Sequence, residues 1–146
     1  MAASLERVPS AVGRLRLAYE FGRNEMLARV RAAGHADVTS AMIALFRFEG
    51  VDRRRPGAIA ATARLSKQAT NDMLGELERL GYLERHPDPT DGRARIVQLT
   101  KRGQALDAAV WKAGREVEQA WRNQFDDKDW TTFQEVLDKL RRPPGD

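Results

Sequence analysis

The stretch that most restricts how this chain can fold is residues 65–103, LSKQATNDMLGELERLGYLERHPDPTDGRARIVQLTKRG. The spacing predicts a helix beginning at Ser66, whose hydroxyl can cap the free amides of a first turn. Ala69 or Thr70, Met73, Leu77 and Leu80 recur at three- and four-residue steps, the signature of one buried helical face. Lys67, Gln68, Asn71, Asp72 and Gly75 form the polar or small opposite side. Gly81 stops the helix, because glycine accepts the left-handed conformation that helix ends favour. Two short strand-like runs follow, Tyr82–Arg85 and Ala94–Leu99. Between them His86 to Arg93 holds two prolines and a glycine, which reads as a loop tip and not as continuous strand.

A helix followed by a hairpin with a basic tip is the order of a winged helix-turn-helix. The preceding segment agrees. Pro56–Ala63 is a short run of small residues with Ile59, Ala60 and Ala63 on one side, and Arg64-Leu65 makes a turn into the next helix. Small residues let two helices cross closely, as a helix-turn-helix requires. The second helix would lie in a DNA major groove, leading with its N-terminal residues.

Charge follows the same division. Residues 51–103 carry 11 basic and 7 acidic side chains, residues 1–50 carry 7 and 5, and residues 104–146 carry 7 and 9. The positive excess therefore sits in the stretch with the helix-hairpin pattern, which favours DNA over a merely solvated basic surface. Arg53-Arg54-Arg55 lies in the link entering this stretch. It reads either as an ordinary exposed loop or as a phosphate contact that positions the protein without reading sequence.

The flanks read as helices. Residues 10–33 place Val12, Leu15, Tyr19, Met26, Leu27 and Val30 on one stripe. His35 falls in the break that follows and reads as a solvated loop residue. Thr39 or Ser40 then caps a mostly apolar helix through about Glu49, containing Met42, Ile43, Leu45, Phe46 and Phe48. Thr100 caps a long helix to about Gln124, with Gly114 a weak point within it. Asp126, with Asp129 three residues on, caps a last helix whose apolar face is Trp130, Phe133, Val136, Leu137 and Leu140. Arg141 and Arg142 suit the end of its dipole, and Pro143-Pro144 stops it.

At 146 residues the chain is long enough for one domain with a real core. It has no cysteine, which excludes disulfides and thiolate metal sites and fits a reducing cytoplasm. No apolar run reaches membrane-spanning length, and the first residues lack a signal-peptide apolar core. Capping explains Asp126, Asp127 and Asp129 better than a metal site does. No phosphate-binding glycine loop, metal-binding histidine pair or serine elbow occurs, and His86 lacks an evident acid or base partner. An enzyme is therefore a poor reading.

Ile59-Ala60, Leu65-Ser66-Lys67, Leu77-Glu78, Gly81-Tyr82-Leu83, Arg85, Asp91-x-Arg93 and Leu99-Thr100 with Gly103 together resemble the MarR family of bacterial transcription factors. With the flanking helices the resemblance covers nearly the whole chain. Thr70 stands where that family usually has an apolar residue, and Asp72 where a basic or neutral polar residue is usual. The resemblance implies a homodimer that binds a palindromic operator and usually represses transcription. It also implies that Asp91 braces the wing against an arginine such as Arg95. In that family aromatic acids often bind between the dimer helices and the DNA lobe. Tyr19, Phe46 and Trp111, with Arg16 or Arg47 as carboxylate partner, are the lining residues this suggests.

The resulting expectation is a single mainly α domain, residues 1–146, with a small β-hairpin wing. The winged helix-turn-helix lobe spans about 39–103, and the dimerisation helices span about 4–33 and 104–142. The partners are double-stranded DNA, a second copy of the chain and a small aromatic effector. No cofactor, metal, membrane or catalytic residue is called for. Arg53, Arg54, Arg55, Ser66, Lys67, Gln68, Asn71, Arg93 and Arg95 are the DNA-contacting candidates. Lys67 and Gln68 can reach phosphate or guanine, Asn71 an adenine edge, and Arg93 a narrow minor groove. The alternatives are a non-specific or architectural nucleic-acid-binding protein without ligand control, and a helical scaffold that no longer binds DNA.

Overall fold

The computed structural model describes residues 10–47 and 49–141, so the expectations for Phe48, Arg142 and the prolines after it, and the outer ends of the dimerisation helices, lie outside the described residues. Its elements are α1 (Ala11–Ala32), α2 (Ser40–Leu45), α3 (Pro56–Ala63), α4 (Lys67–Arg79), β1 (Leu83–Asp88), β2 (Asp91–Leu99), α5 (Lys101–Arg122) and α6 (Asp127–Arg141). Each helix start has a local cause. Ser10, Thr39, Ser66 and Thr100 accept hydrogen bonds from Gly13, Met42, Ala69 and Gly103 amides at 3.2, 3.2, 3.0 and 3.1 Å. Pro56 occupies the first turn of α3, where a missing N–H is harmless. Asp126 accepts from the Asp129 amide at 2.8 Å, the cap expected for α6.

The core joins Val30 of α1, Ile43 of α2, Ile59 of α3, Leu74 and Leu77 of α4, Leu83 and Val97 of the hairpin and Leu106 and Val110 of α5. Leu74 is fully buried and was absent from the stripe read in the sequence, while Met73 and Leu80 pack only partly. The helix expected to run to Glu49 ends at Leu45, with Phe46 as its buried C-cap.

The wing is longer than expected. β1 and β2 pair antiparallel from Leu83 opposite Leu99 to Pro87 opposite Arg95, then slip in register so that Asp88 faces Asp91. Most of the anticipated loop tip is therefore strand, and the turn shrinks to Pro89-Thr90. Pro87 lies on β1, the outer strand of the ribbon, where it is tolerated, and the irregularity falls beside it. The other edge of β2 is also used: the Arg53 amide donates to Val97 O at 2.7 Å and the Val97 amide to Arg54 O at 2.9 Å. The Leu99 amide donates to Asp52 Oδ1 at 2.8 Å.

α1 packs along α5, where Gly22 lies beneath the Trp121 ring; a Cβ there would stand 2.8 Å from the ring. α6 has no buried residue. Its Trp130 and Phe133 cluster with Phe125 at ring separations of 5.6–6.4 Å. On α1, Val12, Leu17 and Phe21 are 78%, 52% and 59% exposed, and Leu140 of α6 is 67% exposed. The apolar surface of these two helices is thus left largely uncovered by the single chain. Among the described residues no helix is long and apolar enough to cross a membrane.

Candidate nucleic-acid interface

α3 and α4 meet at a tight turn, Arg64-Leu65, in which Arg64 takes a left-handed conformation with φ 55°. This turn fixes how α4 is presented. Lys67 and Gln68, in its first turn, are exposed and have no side-chain partner among the described residues. They are free to meet a ligand. Ser66, by contrast, is committed to its cap. Asn71 is also engaged: its Nδ2 donates to Lys67 O at 3.0 Å, and its Oδ1 and backbone O both accept from the Arg85 guanidinium at 3.2 Å. Arg85 in turn pairs with Glu78 at 3.4 Å, tying β1 to the exposed side of α4. Thr70 is fully buried among apolar residues, and its hydroxyl has no hydrogen-bond partner.

The three arginines of the link do different jobs. Arg54 turns inward, donating to Gly50 O at 3.0 Å, Ala58 O at 3.3 Å and Thr62 Oγ1 at 2.7 Å, with Glu49 at 3.0 Å. It fastens the link to α3 and is not a free cation. Arg55 reaches the wing, donating from Nε to Asp88 Oδ2 at 2.7 Å, with Asp91 at 3.7 Å. Arg53 alone is exposed with an uncommitted side chain, at a left-handed φ of 56°.

Asp88 is the wing brace that the sequence reading did not identify. Its carboxylate is almost wholly covered and accepts from the Thr90 amide at 2.8 Å and the Thr90 hydroxyl at 2.7 Å, besides Arg55. These bonds, from Thr90 first and Arg55 second, hold its pKa down at about 2. The sequence signal was there: Asp-Pro-Thr is the spacing of an Asx turn, in which the carboxylate takes the amide two residues on. Asp91 corrects the expectation in detail. It accepts from the Arg93 amide at 3.2 Å and faces Arg55, not Arg95. Arg93 and Arg95 are both exposed, with side chains uncommitted among the described residues.

Behind the interface lies a polar joint in which His35 and Tyr82 are buried and Asp37 and Arg102 are exposed. His35 is 6% exposed, not solvated as expected. Tyr82 Oη donates to Asp37 Oδ1 at 2.5 Å and so accepts from His35 Nδ1 at 3.2 Å, which places the proton of His35 on Nδ1. Arg102 donates to Asp37 Oδ2 at 2.7 Å and to Leu80 O at 2.5 Å, and stacks 4.2 Å above the Tyr82 ring. Burial and then the Asp37 bond push the Tyr82 hydroxyl up to about 12. Burial, aided by Arg102, lowers His35 and favours the neutral ring.

A groove runs between α1, α5 and α6. One part, about 290 Å³, is lined by Tyr19, Met26, Arg47, Trp121, Trp130 and Phe133. The next, about 340 Å³, adds Phe46 and Trp111 and shares Met26 and Arg47. Arg47 donates to the Tyr19 hydroxyl at 3.4 Å. The Nε atoms of Arg47 and of neighbouring Arg23 are buried without a partner. Four of the five residues read as ligand-lining thus share one groove. Arg16 does not join them; it sits on exposed α1 surface 3.6 Å from Glu20.

Residues 33–94 match the sequence model of the MarR family. That segment, under half of the chain, is similar to the MarR family in sequence. An uncharacterized HTH-type transcriptional regulator of Mycobacterium leprae is 32% identical over 66 residues, 45% of this chain and 43% of that protein. The transcriptional regulator HosA of Escherichia coli O111:H- is 28% identical over 83 residues, covering 57% and 62%. The aligned stretch thus spans less than half of the mycobacterial relative. Among solved structures, a mutant MarR from E. coli complexed with operator DNA superposes with a TM-score of 0.73 at 22% identity, covering 90% of this chain and 94% of that one. The transcriptional repressor CouR bound to a 23-mer DNA duplex gives the same TM-score and identity, covering 91% and 93%. The MarR fold therefore extends beyond the matched segment to the long flanking helices.

Proposed function

We propose that this protein is a sequence-specific DNA-binding transcription regulator that acts as a homodimer, repressing from a palindromic operator. The observation that carries the reading is the set of uncommitted cations and amides on one fixed frame. Lys67 and Gln68 at the start of α4, and Arg93 and Arg95 on the hairpin, stay free while neighbouring Arg54, Arg55 and Arg85 lock the link, wing and helix together. DNA-bound relatives of the same fold support it. The uncovered apolar faces of α1 and α6 suit a second copy of the chain. In such a dimer two α4 helices enter successive major grooves about 34 Å apart.

Selection of bound duplexes from random DNA tests this. An inverted repeat should emerge, preferred over random duplex by roughly 10³ or more. Binding without an enriched sequence would instead support an architectural protein. Sedimentation of the full chain as a monomer at binding concentrations would remove the two-fold mechanism.

The groove supports control by a small aromatic carboxylate. Its walls are mostly apolar, and the guanidinium groups of Arg23 and Arg47 line it as cationic partners for a carboxylate. Phe46 and Arg47 close and follow α2 of the lobe while the other walls belong to α1, α5 and α6, so an occupant here would touch both the lobe and the uncovered helices about which one protomer can shift against the other. Titration with aromatic acids, read by tryptophan fluorescence and operator release, tests this; a panel without response identifies a ligand-independent regulator.

A further inference from the structure

Three helices of this chain end in the same hydrogen-bonded motif, and one of them uses an unusual residue. α1 closes with the Gly34 amide on Arg31 O at 3.1 Å and the His35 amide on Val30 O at 3.4 Å. α4 closes with the Gly81 amide on Glu78 O at 3.0 Å and the Tyr82 amide on Leu77 O at 2.9 Å. Both place glycine at the left-handed position, with φ 104° and 79°. α3 closes identically, with the Arg64 amide on Ala61 O at 3.3 Å and the Leu65 amide on Ala60 O at 3.0 Å, but an arginine holds the left-handed position at φ 55°. That conformation is uphill for a residue with a Cβ and free for glycine.

The arginine side chain gives the fold nothing in return. It is exposed and makes no hydrogen bond or ion pair among the described residues. The other described non-glycine residue at positive φ is Arg53, also exposed and also uncommitted through its side chain. Left-handed strain thus falls twice, each time on a free arginine, and the two flank α3. Arg64 stands two residues before the Ser66 cap and three before Lys67, at the turn leading into the helix that enters the groove. A chain passing there crosses the phosphate backbone at the groove edge.

We infer that Arg64 is a phosphate-contacting residue, held at a strained turn position because its cation is needed on the DNA backbone. This rests on the DNA-binding reading above. It assigns Arg64 a non-selective role, adding affinity to every duplex and none of the preference among sequences.

Arg64→Gly and Arg64→Asn both suit a left-handed position and remove the charge; Arg64→Lys keeps the charge. The first two should melt at or above the wild-type temperature. Both should bind operator and random duplex about 5- to 10-fold more weakly at ~0.1 M salt, with the slope of log K against log salt reduced by about one. Arg64→Lys should keep the wild-type slope. Wild-type affinity and slope in Arg64→Gly would overturn the inference, as would a slope loss equally present in Arg64→Lys. A melting temperature well below wild type in both neutral variants would assign Arg64 to folding instead. If the wild-type chain binds no duplex, the DNA-binding reading itself fails, and this inference with it.

Discussion

Gly103→Ala is the substitution whose cost the geometry fixes most directly. A Cβ at Gly103 would lie 1.9 Å from the Tyr82 carbonyl oxygen and 3.0 Å from Leu99 Cδ2, where real Cβ contacts essentially never fall below 3.0 Å. The first neighbour is backbone, so α5 and the start of the hairpin must separate by about 1 Å. That separation opens a junction made by one residue. The Thr100 amide donates to Tyr82 O at 3.1 Å, its hydroxyl donates to Gly81 O at 2.7 Å, and the same oxygen caps the Gly103 amide at 3.1 Å. The cap travels with α5, but loss of the two bonds from Thr100 to Tyr82 and Gly81 costs about 1 kcal/mol each, and forced overpacking adds about 1–3 kcal/mol. The better helix propensity of alanine returns at most about 1 kcal/mol. A net loss of about 2–4 kcal/mol follows, a large part of a typical total of about 5–15 kcal/mol. Urea unfolding followed by circular dichroism measures it, with Gly114→Ala as the control in the same helix. At Gly114 a Cβ meets only Met26 Cε at 3.6 Å, so that variant should gain up to about 1 kcal/mol. A Gly103→Ala variant within 1 kcal/mol of wild type would refute the backbone-clash argument.

Thr70→Val should stabilise the protein by about 1 kcal/mol, because it removes a buried hydroxyl that has no partner; a lower urea midpoint would mean the hydroxyl is satisfied. The Asp88 brace should act at neutral pH and be lost on acidification. Its carboxyl is held at about 2 in the fold, below the ordinary carboxylate range, so its contribution is complete above about pH 4 and disappears as pH falls toward 2. Hairpin amide signals of the wild type should follow that window, and those of Asp88→Asn should not. Arg93→Ala should weaken binding to all duplexes and reduce the salt slope by about one; unchanged affinity and slope would take the wing off the DNA.

The helices and their starts were readable because their causes are local. Ser66, Thr100 and Asp126 cap by side-chain reach over three residues, and Gly81 ends α4 by its own backbone freedom. The DNA-facing set was less readable because charge type does not reveal commitment. Arg53, Arg54 and Arg55 look alike in sequence, yet Arg54 folds back on α3 and Arg55 crosses to a carboxylate 33 positions away. Asn71 likewise looked like a base reader, but Arg85, 14 residues on, holds its carbonyl. Long-range pairs of this kind leave no periodic trace. His35 was misread for the same reason: its partner Tyr82 lies 47 residues away. The length of the wing is hard to read because proline breaks most strands, yet Pro87 lies on β1, the outer strand of the ribbon, where it is tolerated.

The joint around Tyr82 constrains how any signal could cross the protomer. His35 and Asp37 follow α1, Tyr82 follows α4, and Arg102 belongs to the first turn of α5. Their hydrogen bonds close within the chain, with Asp37 accepting from both Tyr82 and Arg102. Gly103 adds a backbone-to-backbone contact at the same place, too close for a methyl group. Sliding α5 against the lobe here would strip the Arg102 guanidinium from the Asp37 carboxylate and the Leu80 carbonyl and would separate packed main chains, the latter costing about 1–3 kcal/mol. The long helices and the DNA-facing lobe are therefore hinged poorly at this end. Freedom lies at the other end, where α6 has no buried residue and an open groove runs among α1, α5 and α6. A change in the spacing of two α4 helices is accordingly better made by shifting whole protomers about their uncovered helices than by bending the lobe within one of them.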